Sequence, residues 1–166
     1  MELVKFLHEV GSLKLTPRAG WLKLGIKDPE SVAEHSFRTA VIAFIIAFRE
    51  TKDLNTAFKA ATAALFHDLH ETRTMDIHKV AKEYVTVNEE KAIRDQMRFL
   101  GLEIDFSDVE EIIRDADKLE LAFQAVEYSK LVESAIEFAE GLEFKTDTAK
   151  EIYNELMKRR DPRWWR

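Results

Sequence analysis

The chain has 166 residues, a formal net charge of −6, 46% hydrophobic residues and no cysteine. This length and apolar content suit one globular domain, spanning residues 1–166, with a sizeable core. The acidic balance argues against a protein that coats nucleic acid, and the missing thiols exclude disulfides, zinc–thiolate sites and a cysteine nucleophile.

Few Gly and Pro, with abundant Leu, Ala, Glu and Lys, favour an all-α fold. The absence of cysteine fits a reducing, cytoplasmic setting. The stretch Met1 to Glu9 has no basic segment leading into an apolar one, so no signal peptide is expected. The longest apolar run, Ala40 to Phe48, is far shorter than the roughly 20 residues a membrane span needs.

In chain order, Leu3, Val4, Phe6, Leu7 and Val10 recur at helical spacing and predict a first helix over residues 2–11. His8 within it reads as a surface histidine. Residues 12–30, with Gly11 at their border, hold most of the helix breakers and predict a long loop, carrying Arg18 and Trp21. Loops of this length in a small domain are often functional; the plainer alternatives are a solvated Arg18 and a Trp21 that plugs the core. Ser31 and Glu34 form a capping-box pattern, so a helix is expected to begin there and run to about Arg49. Its nearly continuous apolar surface, including Phe37, Val41, Phe44, Ile45 and Phe48, predicts a central, buried helix. His35 is expected in its first, exposed turn.

A polar turn over 51–55 precedes a helix from Thr56 to about Leu69, ending in His67–Asp68. A buried carboxylate needs a partner. A metal ion would satisfy both side chains; so would a salt bridge or a helix-end hydrogen bond. Glu71 shares a face with His67 if the helix continues one more turn. Asp76 is placed to cap a short helix containing His78, Val80, Ala81 and Tyr84, while His70 and His78 read as structural or solvent-facing. A further helix is expected over Asn88 to Leu100, closed by Gly101. Ser107 and Glu110 form a second capping-box pattern ahead of a long helix through Tyr128. Asp117 lies close to its apolar face; Asp115 and Glu120 are expected in solvent. A last helix runs from about Thr146 to Arg159, before a basic, aromatic tail that includes Trp164 and Trp165.

His35, His67–Asp68 and Asp117 thus fall on three separate predicted helices, each beside buried positions. Two imidazoles and two carboxylates without a thiolate suit Mn, Co, Fe, Ni or Zn better than Ca, with Mg a further possibility. Four protein ligands around a six-coordinate ion leave positions for water and substrate, as metal-assisted hydrolysis requires.

The order H…HD…D resembles the HD-domain superfamily of metal-dependent phosphohydrolases. The surrounding Glu-His-Ser at 34–36, Phe-His-Asp-Leu-His-Glu at 66–71 and Asp-Ala-Asp-Lys-Leu-Glu at 115–120 resemble its 5'-deoxynucleotidase branch. The resemblance implies an HD-domain helical bundle with the metal site between central helices. It implies that His35, His67, Asp68 and Asp117 bind one divalent metal ion and that Glu71 acts on the attacking water. Arg18 would hold the substrate phosphate, Asp76 would lie near the sugar, and Trp21 would contact the nucleotide. Two residues, Ala19 and Gly20, separate Arg18 from Trp21, whereas the bacterial members of this branch have the pair adjacent. The implied reaction releases inorganic phosphate from deoxynucleoside 5'-monophosphates, in a homodimer without nucleic-acid or membrane partners. A phosphodiesterase, a nucleoside-triphosphate hydrolase and a non-catalytic nucleotide-binding module with a structural metal are the alternatives.

Overall fold

Helices and the turns between them make up the chain. The computed structural model describes residues 2–98, 101 and 105–165. Among these it has eight α-helices: α1 (Glu2–Gly11), α2 (Ala19–Leu22), α3 (Val32–Thr51), α4 (Leu54–Phe66), α5 (Glu71–Thr74), α6 (Glu89–Met97), α7 (Glu110–Tyr128) and α8 (Asp147–Arg159). Four 3-10 turns add Ser12–Leu15, Ala81–Glu83, Ser107–Val109 and Glu133–Ala139. The β pairing described is a single isolated bridge between Pro17 and Ser31. No described helix is long and apolar enough to cross a membrane. The predicted all-α class therefore holds. Leu100, expected to close the helix that here ends at Met97, lies outside the described residues.

Contacts gather into two units. The first comprises Met1–Ser36 and Phe66–Asp105; the second comprises Phe37–Leu65 and Phe106–Arg166. In the first, Phe6, Leu13, Val32 and Leu69 form the core, with Val10, Ala33, Phe66 and Met97 packed around them. In the second, Ala40, Ala43 and Ala47 of α3 cluster with Ala57, Ala60, Ala63 and Ala64 of α4. Side chains this small let two helix backbones approach closely. Ile112, Ala116 and Leu119 of α7 and Ala149 of α8 complete that core.

The capping box at Ser31 is present. Its backbone N–H and hydroxyl both donate to Glu34 Oε2, at 2.7 and 2.8 Å, and Glu34 N–H donates back to Ser31 Oγ at 3.2 Å. Helix α4 begins two residues earlier than expected because Asp53 caps it, accepting the N–H of Thr56 at 2.8 Å. Thr146 caps α8, accepting from Ala149.

Three expectations are corrected. Helix α3 is not buried all round: Phe37, Val41, Ile45 and Phe48 are exposed, while Thr39, Ala40, Ile42, Ala43, Ile46 and Ala47 are buried. His35 is fully buried rather than in an exposed turn. Asp115 and Glu120, expected in solvent, are also fully buried. Asp115 accepts the N–H groups of Lys145 and Thr146, at 2.9 and 2.7 Å, and the Thr146 hydroxyl at 2.8 Å. It thereby fixes the chain entering α8. Glu120 takes the guanidinium of Arg38 through Nε and Nη2, at 2.9 and 2.8 Å. Gln124 and Glu127 accept further hydrogen bonds from the same guanidinium, both at 2.7 Å. A buried carboxylate is tolerable because a planar cation with several donors meets it.

Taking one partner from a buried pair costs more than losing a surface pair, because the remaining charge keeps its desolvation penalty. Arg38→Met should destabilise the protein by about 3–5 kcal/mol. Glu127→Gln, at a side chain 38% exposed, should cost no more than about 1 kcal/mol. Urea unfolding of both variants checks the ordering; equal small losses would mean that the buried pair contributes nothing specific.

Candidate metal centre and active site

The site is built on the turn that follows α4. The α-helical pattern stops at Phe66, and residues 67–70 pass through tight turns into the single turn of α5. This break projects His67 and Asp68 from a helix end and places Glu71 at the start of the next turn. Asp68 is the hub. Its Oδ2 lies 3.2 Å from His67 Nε2, 3.5 Å from His35 Nε2 and 3.5 Å from an Arg18 guanidinium nitrogen. The His35 and His67 rings are 5.5 Å apart. His35 arrives from the first turn of α3, which the Ser31 box fixes in place.

These separations suit a metal ion. Two ligands bonded to one ion at about 2.1 Å sit about 3.0–3.4 Å from each other in octahedral or tetrahedral geometry. The His67–Asp68 separation of 3.2 Å falls within that range and the His35–Asp68 separation of 3.5 Å lies just beyond it, and imidazole with carboxylate is the donor set of a divalent first-row metal. Within this unit His35, His67 and Asp68 would hold it. Asp117, half-buried on α7, belongs to the other unit.

Glu71 is buried, and among the described residues its Oε2 accepts no hydrogen bond. Burial, reinforced by the negative charges of Asp68 and Asp76, pushes its pKa up to about 8; Arg18 and His35 pull the other way. Asp68 behaves oppositely. Burial works to raise its pKa, but the hydrogen bond and charge of His67, with Arg18 and His35, outweigh it and hold the carboxyl below its ordinary value. The result is an ionised carboxylate at the hub and a more basic carboxylate beside it, a division of roles that acid–base chemistry uses.

Arg18 precedes α2 in extended conformation. Its guanidinium lies 3.5 Å from Asp68 and 3.9 Å from Asp76. Asp76 does not cap the helix expected after it; a short 3-10 turn, Ala81–Glu83, forms instead, with His78 Nδ1 accepting the N–H of Ala81. Asp76 Oδ2 accepts the N–H of Ala19 at 2.7 Å and so ties the Arg18 loop to the segment after α5. The residue before it, Met75, has φ 63° and ψ 160°, a region that side chains other than glycine avoid. Trp21 is buried, and its indole N–H donates to Glu30 Oε1 at 2.9 Å. It anchors the 18–30 loop from the inside. His70 is buried as well, its ring Nδ1 3.2 Å from the His67 carbonyl.

A polar network supports the turn, and the sequence reading missed it. Gln96 of α6 is fully buried and donates to the Leu69 carbonyl at 3.0 Å, Thr72 Oγ at 2.8 Å and Glu9 Oε1 at 2.8 Å. Arg73 grips both oxygens of Glu9. The available signal was a polar residue, Gln96, within the apolar stripe of Ala92, Ile93 and Met97.

Comparison with known proteins agrees with this geometry. The HD domain family profile matches residues 10–158. The chain belongs to the HD domain family. It is 32% identical to the 5'-deoxynucleotidase HDDC2 of Homo sapiens over 146 residues, covering 78% of this chain and 69% of that protein. A crystal structure from structural genomics is 64% identical, with a TM-score of 0.98 over 99% of both chains. A predicted coding region from Archaeoglobus fulgidus is 57% identical, with a TM-score of 0.85 over 99% of both chains.

Two expected outcomes follow from the turn and its support. Backbone strain of this kind costs about 1–3 kcal/mol, while glycine adds about 1 kcal/mol of unfolded-chain entropy. Met75→Gly should therefore leave stability unchanged or raise it by up to about 2 kcal/mol in thermal unfolding; a loss of 1 kcal/mol or more would show that Met75 is unstrained. Arg73, Gln96 and Thr72 hold the Glu9 pKa below its usual value against its burial. A lowered carboxylate pKa contributes stability that is present above the unfolded value, near 4.5, and is lost as pH falls through the folded one. Glu9→Gln should therefore narrow the stability difference between pH 6 and pH 3; an unchanged difference would remove Glu9 from the account.

Proposed function

We propose that this protein is a metal-dependent 5'-deoxynucleotidase, a phosphomonoesterase that releases inorganic phosphate from deoxynucleoside 5'-monophosphates. The observation that carries the reading is the convergence of His35, His67 and Arg18 on Asp68, with the buried carboxylate of Glu71 beside them. Family membership and relatives named 5'-deoxynucleotidase support an HD-type phosphohydrolase.

In this reading His35, His67 and Asp68 hold one divalent transition-metal ion, and the sequence pattern adds Asp117 as the fourth ligand. Such an ion supplies a Lewis acid and lowers the pKa of water toward neutrality. Arg18 turns its guanidinium from the carboxylates it now faces to the phosphate oxygens, a planar fork matched to them. Glu71 accepts the proton of the attacking water through the oxygen that makes no other hydrogen bond. Its pKa of about 8, set by burial and by Asp68 and Asp76 against the opposing pull of Arg18 and His35, lies close to the range of an effective base. Asp76 lies near the sugar, where its carboxylate would disfavour a 2'-hydroxyl. Trp21 serves nucleotide binding by fixing the Arg18 loop. The enzyme acts on small nucleotides in the cytoplasm, as a homodimer.

The test is phosphate release from ribo- and deoxyribonucleoside 5'-monophosphates after chelation, with Mn, Co, Mg, Ni and Zn returned singly. Metal-dependent release favouring the deoxy series is expected. Glu71→Gln should keep stoichiometric metal and lose about 10²–10⁴-fold in kcat, whereas Asp117→Ala should lose metal. Stoichiometric metal with no release from any monophosphate would contradict the reading and favour a phosphodiesterase, a triphosphate hydrolase or a structural metal.

A further inference from the structure

Among the described residues, helices α3 and α4 each carry a line of large apolar side chains left exposed. On α3 the line is Phe37, Val41, Ile45 and Phe48, exposed by 68, 46, 41 and 39%. On α4, Phe58 and Leu65 are exposed by 59 and 48%. The spacings of four, four and three residues put the α3 set on one side of that helix, opposite the Ala-rich side that faces the core. The Phe44 ring lies 5.7 Å from Phe58 and 6.5 Å from Phe48, which joins the two lines into one surface. Each line runs for about 16 Å or less along its helix.

The charges of the two helices are turned elsewhere. Arg38 is held by Glu120 and Glu127, Arg49 by Glu151 and Lys59 by Asp108. Glu50 accepts the N–H of Thr148. The lines are apolar, and Arg49 and Lys59 beside them are exposed and paired with Glu151 and Asp108, the apolar centre and polar rim of a subunit interface. The surface also lacks the available basic fringe with which a helix lies on an anionic membrane. The six side chains expose on the order of 600 Å², at 150–250 Å² for a whole large aromatic. That is the upper end of what a monomer shows in one patch, and most of the roughly 800 Å² per partner that a stable interface buries.

We propose that this face is a homodimer interface, in which a second copy lays its own α3 and α4 against the first as a four-helix layer. A two-helix face of uniform apolar character is complementary to itself under a two-fold axis, and packing helix pairs in this way is a common means of covering such faces. The homodimer was part of the functional reading above; the location of its interface is new and does not depend on the chemistry.

Light scattering coupled to size exclusion on the full chain gives the test. Wild-type protein should have twice the 19.3 kDa chain mass at 10–100 μM. Phe37→Ser and Phe58→Ser, made separately at exposed positions, should each shift the mass to that of the monomer by at least a tenfold weaker association. Their helical circular dichroism and metal stoichiometry should stay unchanged. A wild-type monomer, including one that binds anionic vesicles instead, would overturn the proposal. So would a dimer whose mass neither substitution moves, which would leave dimerisation standing and place its interface elsewhere. If one variant fails to fold, the other decides, and Leu65→Ser replaces it.

Discussion

One carboxylate, that of Asp68, sets the terms for the site. A carboxylate held at 14% side-chain exposure requires positive or protic partners on several sides. Two segments distant in sequence and one neighbour supply them: the loop before α2 gives Arg18, the first turn of α3 gives His35, and the residue before Asp68 gives His67. Each reaches Asp68 only because another local device fixes its backbone. The Ser31–Glu34 box starts α3, the Asp76 hydrogen bond to Ala19 ties down the Arg18 loop, and Gln96 holds the carbonyl of Leu69. Burial, reinforced by the same negative charge, makes Glu71 the more basic of the two carboxylates. Ligand geometry and acid–base roles are therefore linked through Asp68.

Much of this was legible in the sequence. The Ser31–Glu34 box starts its helix as written, whereas the Ser107–Glu110 pattern does not: Ser107 opens a 3-10 turn and α7 begins at Glu110 without a side-chain cap. The structure brings His35, His67 and Arg18 to Asp68 with Glu71 close by; residue types and order suggested the His–Asp set, while Arg18 and Glu71 joined it through the family resemblance. What failed was burial of charge. Asp115 and Glu120 read as solvated from their positions on the helical wheel, yet both are buried. Their partners, the Lys145–Thr146 backbone and Arg38, lie too far along the chain for periodicity to reveal. Helix α3 failed in the opposite direction. Its apolar surface predicted burial all round, and periodicity cannot distinguish a side chain covered by its own chain from one left for a neighbour.

The contrast between the two units has a physical logic. In the second, small alanines bring α3 and α4 together, and buried ion pairs and caps fix α7 and α8. That arrangement suits a rigid scaffold. The first unit places its strained residue, Met75, and a carboxylate with a raised pKa, Glu71, within four residues of each other. Strain and shifted protonation concentrate where function constrains the backbone.

The most direct test of the account is anomalous diffraction at the metal edge from crystals grown with manganese or cobalt. The account predicts one strong peak within about 2.0–2.3 Å of His35 Nε2, His67 Nε2 and an Asp68 carboxylate oxygen, with Arg18 no longer against Asp68. A fully loaded crystal with its peak elsewhere, and with the His–Asp–Arg contacts intact, would show that Asp68 is the centre of a structural ion-pair cluster and not of a metal site.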